Sequence, residues 1–306
     1  LEVFEAVGWF VANYLDFRRE EAPAHTAVLA AFVILSYCSP VFPAVPYLFF
    51  VGTAGSGKSR ALEVLQELVF RPFYSADASP ALIYRTLHSV GGTLLLDEAE
   101  RMKNAGRDPG VQELLSLLQA GYRRGGSASR LEPIGDQFRP VSFQVFGPKA
   151  LASITGPPPV LASRCIVIPM IRTGADSPKP KRRILPDQAQ PIRDMLHSLA
   201  LEYGEIFLEL PSRDVCPPEI FGRNWEIWQP ILAIGSWLEE HGAEGLLDLL
   251  KEHAVRSVEQ SRDETTPPHD EILLQVLTER LLQGACPTPG EVLEAAIARE
   301  PNLFGK

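Results

Sequence analysis

The chain has 306 residues, of which 45% are hydrophobic and 22% are charged, the composition of an ordinary globular protein with room for one α/β domain and a smaller appendage. Its four cysteines lie far apart without a C-x-x-C pair, which argues against a dense disulfide framework or a local zinc motif and suits a reducing cytoplasm. The net charge is −9, but it is unevenly distributed, because residues 101–200 carry a net charge of +8. That local positive charge is enough for a surface that follows a phosphate backbone.

The first 45 residues are predicted to form a helical segment, because residues 3–37 carry helical periodicity. The most apolar stretch, residues 27–37, is followed by Ser39-Pro40, Pro43 and Pro46. We interpret it as a buried helix that is too short to span a bilayer, and expect no membrane partner. The chain begins without Met and lacks a basic leader, so we expect a cytoplasmic protein cut from a longer one.

A phosphate-binding loop follows the apolar strand predicted at residues 47–51. The spacing G-x-x-x-x-G-K-S brings backbone N–H groups around anionic phosphates, and the helix that starts near Lys58 points its positive end at them. Lys58 is expected to reach the β- and γ-phosphates, while the Ser59 hydroxyl ligates Mg²⁺. The residues predicted to bind ATP are Gly52, Thr53, Ala54, Gly55, Ser56, Gly57, Lys58, Ser59 and Arg60.

Clusters of Gly and Ser also occur in ordinary strand-to-helix turns, so the loop alone admits a simpler interpretation. Two observations favour the nucleotide site: the apolar helical pattern that follows the loop, and a second, acidic motif at residues 91–98. There a short apolar strand ends in Asp97 and Glu98, as a Walker B element does. Asp97 is expected to hold Mg²⁺ and Glu98 to orient and deprotonate the attacking water. The alternative is that these acids merely open a helix.

Turn and helix signals organise the rest of the chain. Ser79-Pro80 and Asp108-Pro109-Gly110 precede predicted helices, Gly135-Asp136 predicts a hairpin, and residues 165–170 predict a strand. Strands that alternate with helices around a phosphate loop indicate an α/β fold with a mostly parallel sheet flanked by helices. After the Pro- and Lys/Arg-rich residues 177–186, helices are predicted at 191–209, 225–260 and 270–283, and a capping box at 288–291 begins one more.

These signals divide the chain into four predicted parts. Residues 1–45 form the helical segment, 46–176 the P-loop ATPase core, 187–262 a helical lid-like domain, and 268–306 a further helical segment.

In this order the motifs resemble AAA+ (superfamily 3-like) P-loop ATPases, and more closely an uncharacterised ATPase family of phage and plasmid primase-helicase proteins. The resemblance covers nearly the whole chain and is carried by residues 46–48, 79–86, 93–98, 121–125, 145–152, 161–164 and 224–234. Residues 270–306 resemble the first helices of a winged-helix module, which we expect to be cut short at Lys306.

The resemblance implies roles for residues outside the two nucleotide motifs. Arg164 looks like the arginine that reaches the γ-phosphate on a neighbouring subunit in helicase rings, although Ser163 replaces the usual Asp before it. A strand-end arginine paired with an acid is the alternative. Lys149, at the end of a strand predicted over 141–148, falls where these proteins place a sensor of the γ-phosphate, and Ser153 or Thr155 are the alternatives.

Basic residues between Walker B and the sensor position match the place of a DNA-gripping hairpin in viral-type helicases. They are Arg123, Arg124, Arg130 and Arg139, accompanied by Tyr122. The resulting hypothesis is an ATP- and Mg²⁺-dependent motor, a helicase or primase-helicase module, that acts on DNA in replication of a phage, plasmid or other mobile element. We expect it to form a homo-oligomer, a hexamer, and to have a primase or another replication protein as a partner. The alternative is an ATP-gated loader or scaffold, or a defence ATPase, that binds a protein without unwinding DNA; the −12 charge of residues 201–306 suits it.

Overall fold

A computed structural model describes residues 1–104, 108–134, 137–174, 176–265 and 268–300 of the chain. They divide into two compact units, Leu1–Ser257 and Val258–Lys306, which are described separately. The predicted Gly135-Asp136 turn lies outside the described residues.

The first unit is built on a sheet of five parallel strands in the order β2-β3-β6-β1-β7. Strand β1, next to the central strand β6, pairs in register with β6 and with β7, so that Tyr47 lies opposite Lys149 on one side and Cys165 on the other. The strands are almost uniformly apolar because helices cover both faces of a parallel sheet. The strands are β1 (Tyr47–Val51), β2 (Pro72–Ser75), β3 (Thr93–Leu96), β4 (Ser127–Ile134), β5 (Gln137–Gln144), β6 (Lys149–Ser153) and β7 (Cys165–Pro169).

Within the described residues the chain has twelve α-helices, and those of the first unit flank its sheet. They are α1 (Glu2–Tyr14), α2 (Ala22–Cys38), α3 (Lys58–Gln66), α4 (Pro80–Val90), α5 (Pro109–Ala120), α6 (Pro159–Ala162), α7 (Pro186–Glu202), α8 (Gly204–Phe207), α9 (Arg223–Glu240), α10 (Leu246–Thr265), α11 (Pro268–Leu282) and α12 (Pro289–Arg299). The predicted fold class, a mostly parallel α/β sheet flanked by helices, is confirmed.

Several helices begin where the sequence signals place them. The Ser79 hydroxyl accepts a hydrogen bond from the Leu82 amide, and the Asp108 carboxylate accepts one from Gly110. The predicted capping box is present at Thr288 and Glu291. Each cap satisfies backbone donors that have no partner inside their own helix.

Helix α2 is the buried centre of the helical layer. With the turn that follows it, Ala22–Val41 is 20 residues long and apolar enough to cross a membrane by length and composition, so the prediction that this stretch is too short was wrong. The helix extends beyond the predicted apolar stretch at both ends. However, 78% of the apolar window is buried inside the protein, which confirms the predicted buried helix.

The helical periodicity of residues 3–37 corresponds to two helices, α1 and α2. The helix predicted over 225–260 is interrupted between α9 and α10. Gly242 and Gly245 there have φ angles of +101° and +75°, which side-chain-bearing residues rarely adopt and which end a helix.

The hairpin β4–β5 is antiparallel and packs on α4 and α5. The strand predicted over 141–148 is confirmed only over its first half: β5 ends at Gln144, and Lys149 begins β6 after a turn that contains Gly147 at φ +149°.

The second unit is small. Its helices α11 and α12 pack around Val276, Val292 and Ala296. The predicted winged-helix likeness stays a prediction for these helices, and residues 301–306 lie outside the described part.

Candidate nucleotide-binding site

The phosphate loop joins the carboxyl end of β1 to the amino end of α3. Gly55 and Gly57 have φ angles of +77° and +89°, in the left-handed region that glycine tolerates best. A Cβ added at Gly52 would lie 2.4 Å from the Met170 carbonyl oxygen and 2.6 Å from the Ser56 hydroxyl, so no larger residue fits without a shift. The glycines of the motif are therefore needed for the shape of the loop itself.

Polar groups of the loop have the chemistry that a triphosphate requires. Lys58 is largely buried, and its Nζ donates a 3.0 Å hydrogen bond to the Thr53 carbonyl, folded over the loop. The Ser56 hydroxyl is buried without a hydrogen-bond partner among the described residues. Ser59 is exposed in the first turn of α3, whose free amide groups favour an anion. The loop thus fits an anionic ligand and, at Ser59, a hydroxyl ligand for Mg²⁺.

The acidic pair lies at the same edge of the sheet. Strand β3 is separated from β1 by β6, and since all three are parallel, their carboxyl ends lie at one edge. Asp97 follows β3 directly, and its Oδ1 accepts a 2.9 Å hydrogen bond from the Glu98 amide. Glu98 is exposed and has a φ angle of +53°, a strained conformation for a residue with a side chain. Such strain is often found where a side chain is aimed at a functional site.

Tyr74 is a component that the sequence reasoning missed. Its hydroxyl donates a 3.0 Å hydrogen bond to Asp97 Oδ2 from the end of the neighbouring strand β2. Burial, and next the hydrogen bond with Asp97, raise the pKa of Tyr74 to about 12. The phenol therefore stays protonated and fixes one oxygen of the carboxylate. Only the pairing of β2 with β3 reveals this contact, since 23 residues separate the two side chains.

A cleft of about 290 Å³ adjoins the loop. Tyr14 and Asp16 line one side of it, and Met170, Arg172 and Thr173 line another. Its size approaches that of small ligand sites, and it mixes apolar with polar walls.

Arg60 holds the walls of this cleft together. Its Nε donates to the Tyr14 carbonyl at 3.2 Å, and its Nη2 donates to the carbonyls of Lys179, at 3.2 Å, and Arg182. From the linker after β7, Arg172 donates to the Ala54 carbonyl of the loop at 3.0 Å. The side chain of Arg60, predicted to bind nucleotide, is thus engaged with three backbone carbonyls.

Lys149 is not brought to the phosphate loop. It lies at the amino end of β6, the opposite edge of the sheet, and is fully buried. Its Nζ donates to the carbonyls of Gly121, Val145 and Gly147 at 3.2, 2.9 and 2.9 Å. The predicted sensor position therefore needs correction. Strand β6 ends with Ser153 at the edge of the sheet that carries the acidic pair, and Thr155 follows it; the hydroxyls of these two residues lie 3.3 Å apart.

Arg164 also lies at the amino edge, directly before β7. Five strand residues separate it from the carboxyl edge, about 16 Å at a rise of about 3.3 Å per residue. Arg164 therefore cannot reach the phosphate loop of its own chain. It donates a hydrogen bond to the Val160 carbonyl and stacks on Tyr122.

The four arginines predicted to contact DNA fall into two groups. Arg123 and Arg124 lie in the turn after α5, where Arg123 pairs with Glu226 and Arg124 donates to the Pro40 carbonyl. Arg130 and Arg139 lie on the hairpin, where Arg130 pairs with Glu113 at 2.6 Å and Arg139 is exposed. The structure therefore does not bring the set together. Beside Arg139 the hairpin exposes Phe138 and Leu131, to 71% and 69% of their surface, which the sequence reasoning missed.

No protein-family profile matches the chain, and no curated protein does. Among solved structures, the chain is similar to the active helicase Cch of SCCmec type IV, with 12% identity over 92% of this chain and 55% of that one and a TM-score of 0.51. The NrS-1 C-terminal region matches with 13% identity, 97% and 71% coverage and a TM-score of 0.36. JCV helicase matches with 14% identity, 93% and 65% coverage and a TM-score of 0.30.

At these identities the similarity concerns the fold alone, and the two weaker superpositions add no argument. The chain spans about half the length of the Cch structure. Sheet order, phosphate loop and this similarity together define a P-loop protein with a helicase-like fold.

Proposed function

We propose that this chain is the ATP-hydrolysing module of a ring-forming DNA motor, a helicase or primase-helicase ATPase of a phage, plasmid or other mobile element. The observation that carries the proposal is that the loop leaving the carboxyl end of β1 leads to Lys58 and Ser59 at the start of α3, while Asp97 and Glu98 follow β3 at the same edge of the sheet. A binding-only site has no need of a second carboxylate held in a strained conformation beside the first.

Each residue has a distinct role in the proposed reaction. Lys58 leaves the Thr53 carbonyl and neutralises the β- and γ-phosphates of ATP, and the loop amides bind their oxygens. Ser59 and Asp97 would hold Mg²⁺, which would supply neutralising charge for the phosphate oxygens. Glu98 accepts the proton of the attacking water, while Tyr74 keeps Asp97 oriented. The cleft beside the loop, with Tyr14 and Met170 in its walls, receives the nucleoside.

The position of Arg164 supports assembly into a ring. It lies about 16 Å from the edge that carries the phosphate loop of its own chain, so a catalytic role requires the loop of a second copy. When one surface of each subunit contacts a different surface of the next subunit, the assembly closes into a ring if the rotation between neighbours allows it. We propose a ring of six copies.

The hairpin β4–β5 supports contact with DNA. Arg139 supplies an exposed positive charge for a phosphate, and Phe138 an exposed ring on which a base stacks. Arg130 is already paired with Glu113, so we assign it a structural role in the hairpin.

The test is ATP turnover by the purified chain, without DNA and with single- or double-stranded DNA, on protein sized by light scattering. Lys58→Ala should lower turnover about 100-fold or more, and Glu98→Gln should retain ATP while blocking its hydrolysis. Lys251→Ala and Glu205→Gln, in other helices, are the matched controls. Absence of hydrolysis in wild-type protein under every condition would refute the proposal.

Unwinding of a forked duplex separates the motor from a loader or scaffold. Phe138→Ala and Arg139→Ala should reduce stimulation by DNA while leaving DNA-free turnover intact, whereas Arg19→Ala should change neither. Hydrolysis that drives assembly on a protein partner without strand separation would favour the loader instead.

A further inference from the structure

Three arginine side chains gather around the ring of Tyr122 at the amino edge of the sheet. The guanidinium carbons of Arg164, Arg123 and Arg223 lie 4.9, 5.3 and 5.9 Å from the ring centroid. Tyr122 follows α5, Arg164 precedes β7, and Arg223 is the first residue of α9. Distant parts of the sequence thus bring like charges to one place, which we call the Tyr122 cluster.

Two of these charges are bonded to neutral groups. Arg123 pairs with Glu226, but Arg223 donates to the Ser163 hydroxyl at 2.8 Å and Arg164 donates to the Val160 carbonyl. Like charges so close together repel one another, and a structure that tolerates the repulsion is suited to bind an anion. The Tyr122 cluster therefore has the electrostatics of a phosphate site.

Arg164 shows the cost of this arrangement. Burial lowers the pKa of its guanidinium, and the charge of Arg223 lowers it further. Its Nε is buried and, among the residues that the structure describes, has no hydrogen-bond partner. A buried donor without an acceptor is costly, and an anionic oxygen would satisfy it.

The cluster rests on a rigid base. The Tyr122 carbonyl accepts a 2.8 Å hydrogen bond from the Val45 amide, and the Gly121 carbonyl accepts one from the buried Lys149 ammonium. A Cβ added at Gly121 would lie 2.5 Å from the Val145 carbonyl oxygen, so the chain is closely packed there. Groups fixed before the ligand arrives lose little entropy when they bind it.

We propose that Arg223 is a second arginine that acts with Arg164 on the triphosphate bound by a neighbouring copy of the chain. This inference rests on the proposed function and adds to it a residue from α9, outside the sheet. Arg223 exchanges its bond with the neutral Ser163 hydroxyl for bonds with an anionic phosphate oxygen, which are stronger. The helix α9 thereby responds to the nucleotide of the next subunit.

The first experiment compares ATP turnover of wild-type protein with Arg223→Ala and Arg223→Lys. One charge-assisted hydrogen bond in a dry site corresponds to roughly a tenfold to hundredfold loss of kcat in the Ala variant. The Lys variant should recover part of it, because the charge returns without the planar fork. Arg213→Ala is the matched control. Arg213 pairs at 2.6 Å with Glu240, which lies on the same helix as Arg223, and this variant should turn over ATP like wild type.

The second experiment mixes two slow variants, Arg223→Ala and Lys58→Ala. A neighbour that carries Lys58→Ala still offers Arg223 to the intact phosphate loop of an Arg223→Ala subunit. In a random equal mixture about a quarter of all sites are complete in this way, so activity should rise well above the sum of the separate variants. A merely structural defect in Arg223→Ala would not be repaired by mixing.

Two results would overturn the inference while leaving the proposed function standing: wild-type turnover in Arg223→Ala, or a mixture no more active than its components. Failure of the proposed function looks different, because wild-type protein then hydrolyses no ATP, or its specific activity does not depend on protein concentration.

Discussion

Lys149 should make the free energy of unfolding rise with pH just above neutrality. Its burial lowers the pKa of the ammonium to about 7, whereas in the unfolded chain the pKa is about 10.4. Between these two values the unfolded chain binds one more proton than the folded chain, and stability rises wherever that holds. At about 1.4 kcal/mol per pH unit once the folded group has titrated, the gain from about pH 7 to about pH 8.5 is roughly 1.5 to 2 kcal/mol.

The measurement is urea unfolding, followed by tryptophan fluorescence, at several pH values within this window. Lys149→Met, which keeps the length of the side chain and removes the titrating group, should abolish the rise, and Lys251→Met should keep it. Burial also raises the pKa values of Tyr37 and Cys38, each to about 12. The tyrosine affects stability only at higher pH, but a thiol of the unfolded chain begins to ionise near pH 8.5 and opposes the rise there. Lys149→Met leaves the thiols unchanged, so the difference between its profile and that of wild type isolates the lysine, and equal slopes in the two proteins would refute the reasoning.

Three further predictions concern other buried or constrained groups. The rings of His25 and His253 pack with their centroids 5.0 Å apart, and burial lowers their pKa values to about 3 and about 4. The free energy of unfolding should therefore fall as pH drops from about 6.5 towards 4, and it should fall less steeply in His253→Phe. Acid titrations of the two proteins with equal slopes would contradict this. Gly52→Ala should abolish nucleotide binding in a filter assay while Gly156→Ala, with open space around it, binds normally. Tyr74→Phe should raise the Mg²⁺ concentration needed for half-maximal turnover several-fold by freeing Asp97, and an unchanged requirement would count against that role.

Local chemistry explains what could be predicted from the sequence. Caps such as Ser79 and strands such as Thr93–Leu96 depend on neighbouring residues, so their signals are complete within a few positions. The parallel sheet followed from the alternation of such elements. Parallel topology leads us to expect Lys58 near Asp97, and the strand order supports this expectation.

Contacts between residues that are far apart in the sequence explain what could not be predicted from it. Lys149 was assigned to the wrong strand because a turn with a left-handed glycine is invisible to periodicity, and this one shift moved it to the opposite edge of the sheet. Tyr74 and Arg223 have no motif at all; they matter through partners 23 and 60 residues away. Charge and position along the chain grouped Arg123 with Arg139, although Arg123 is paired with Glu226 and Arg139 lies on the hairpin.

The three carbonyls held by Arg60 have a mechanical consequence. This side chain stands in the first turn of α3, and it grips the chain 46 residues before it and 119 and 122 residues after it. A displacement of the start of α3 would therefore also act on the end of α1 and on residues 179–182, which precede α7. A rearrangement of the phosphate loop would reach both flanking regions through a single guanidinium.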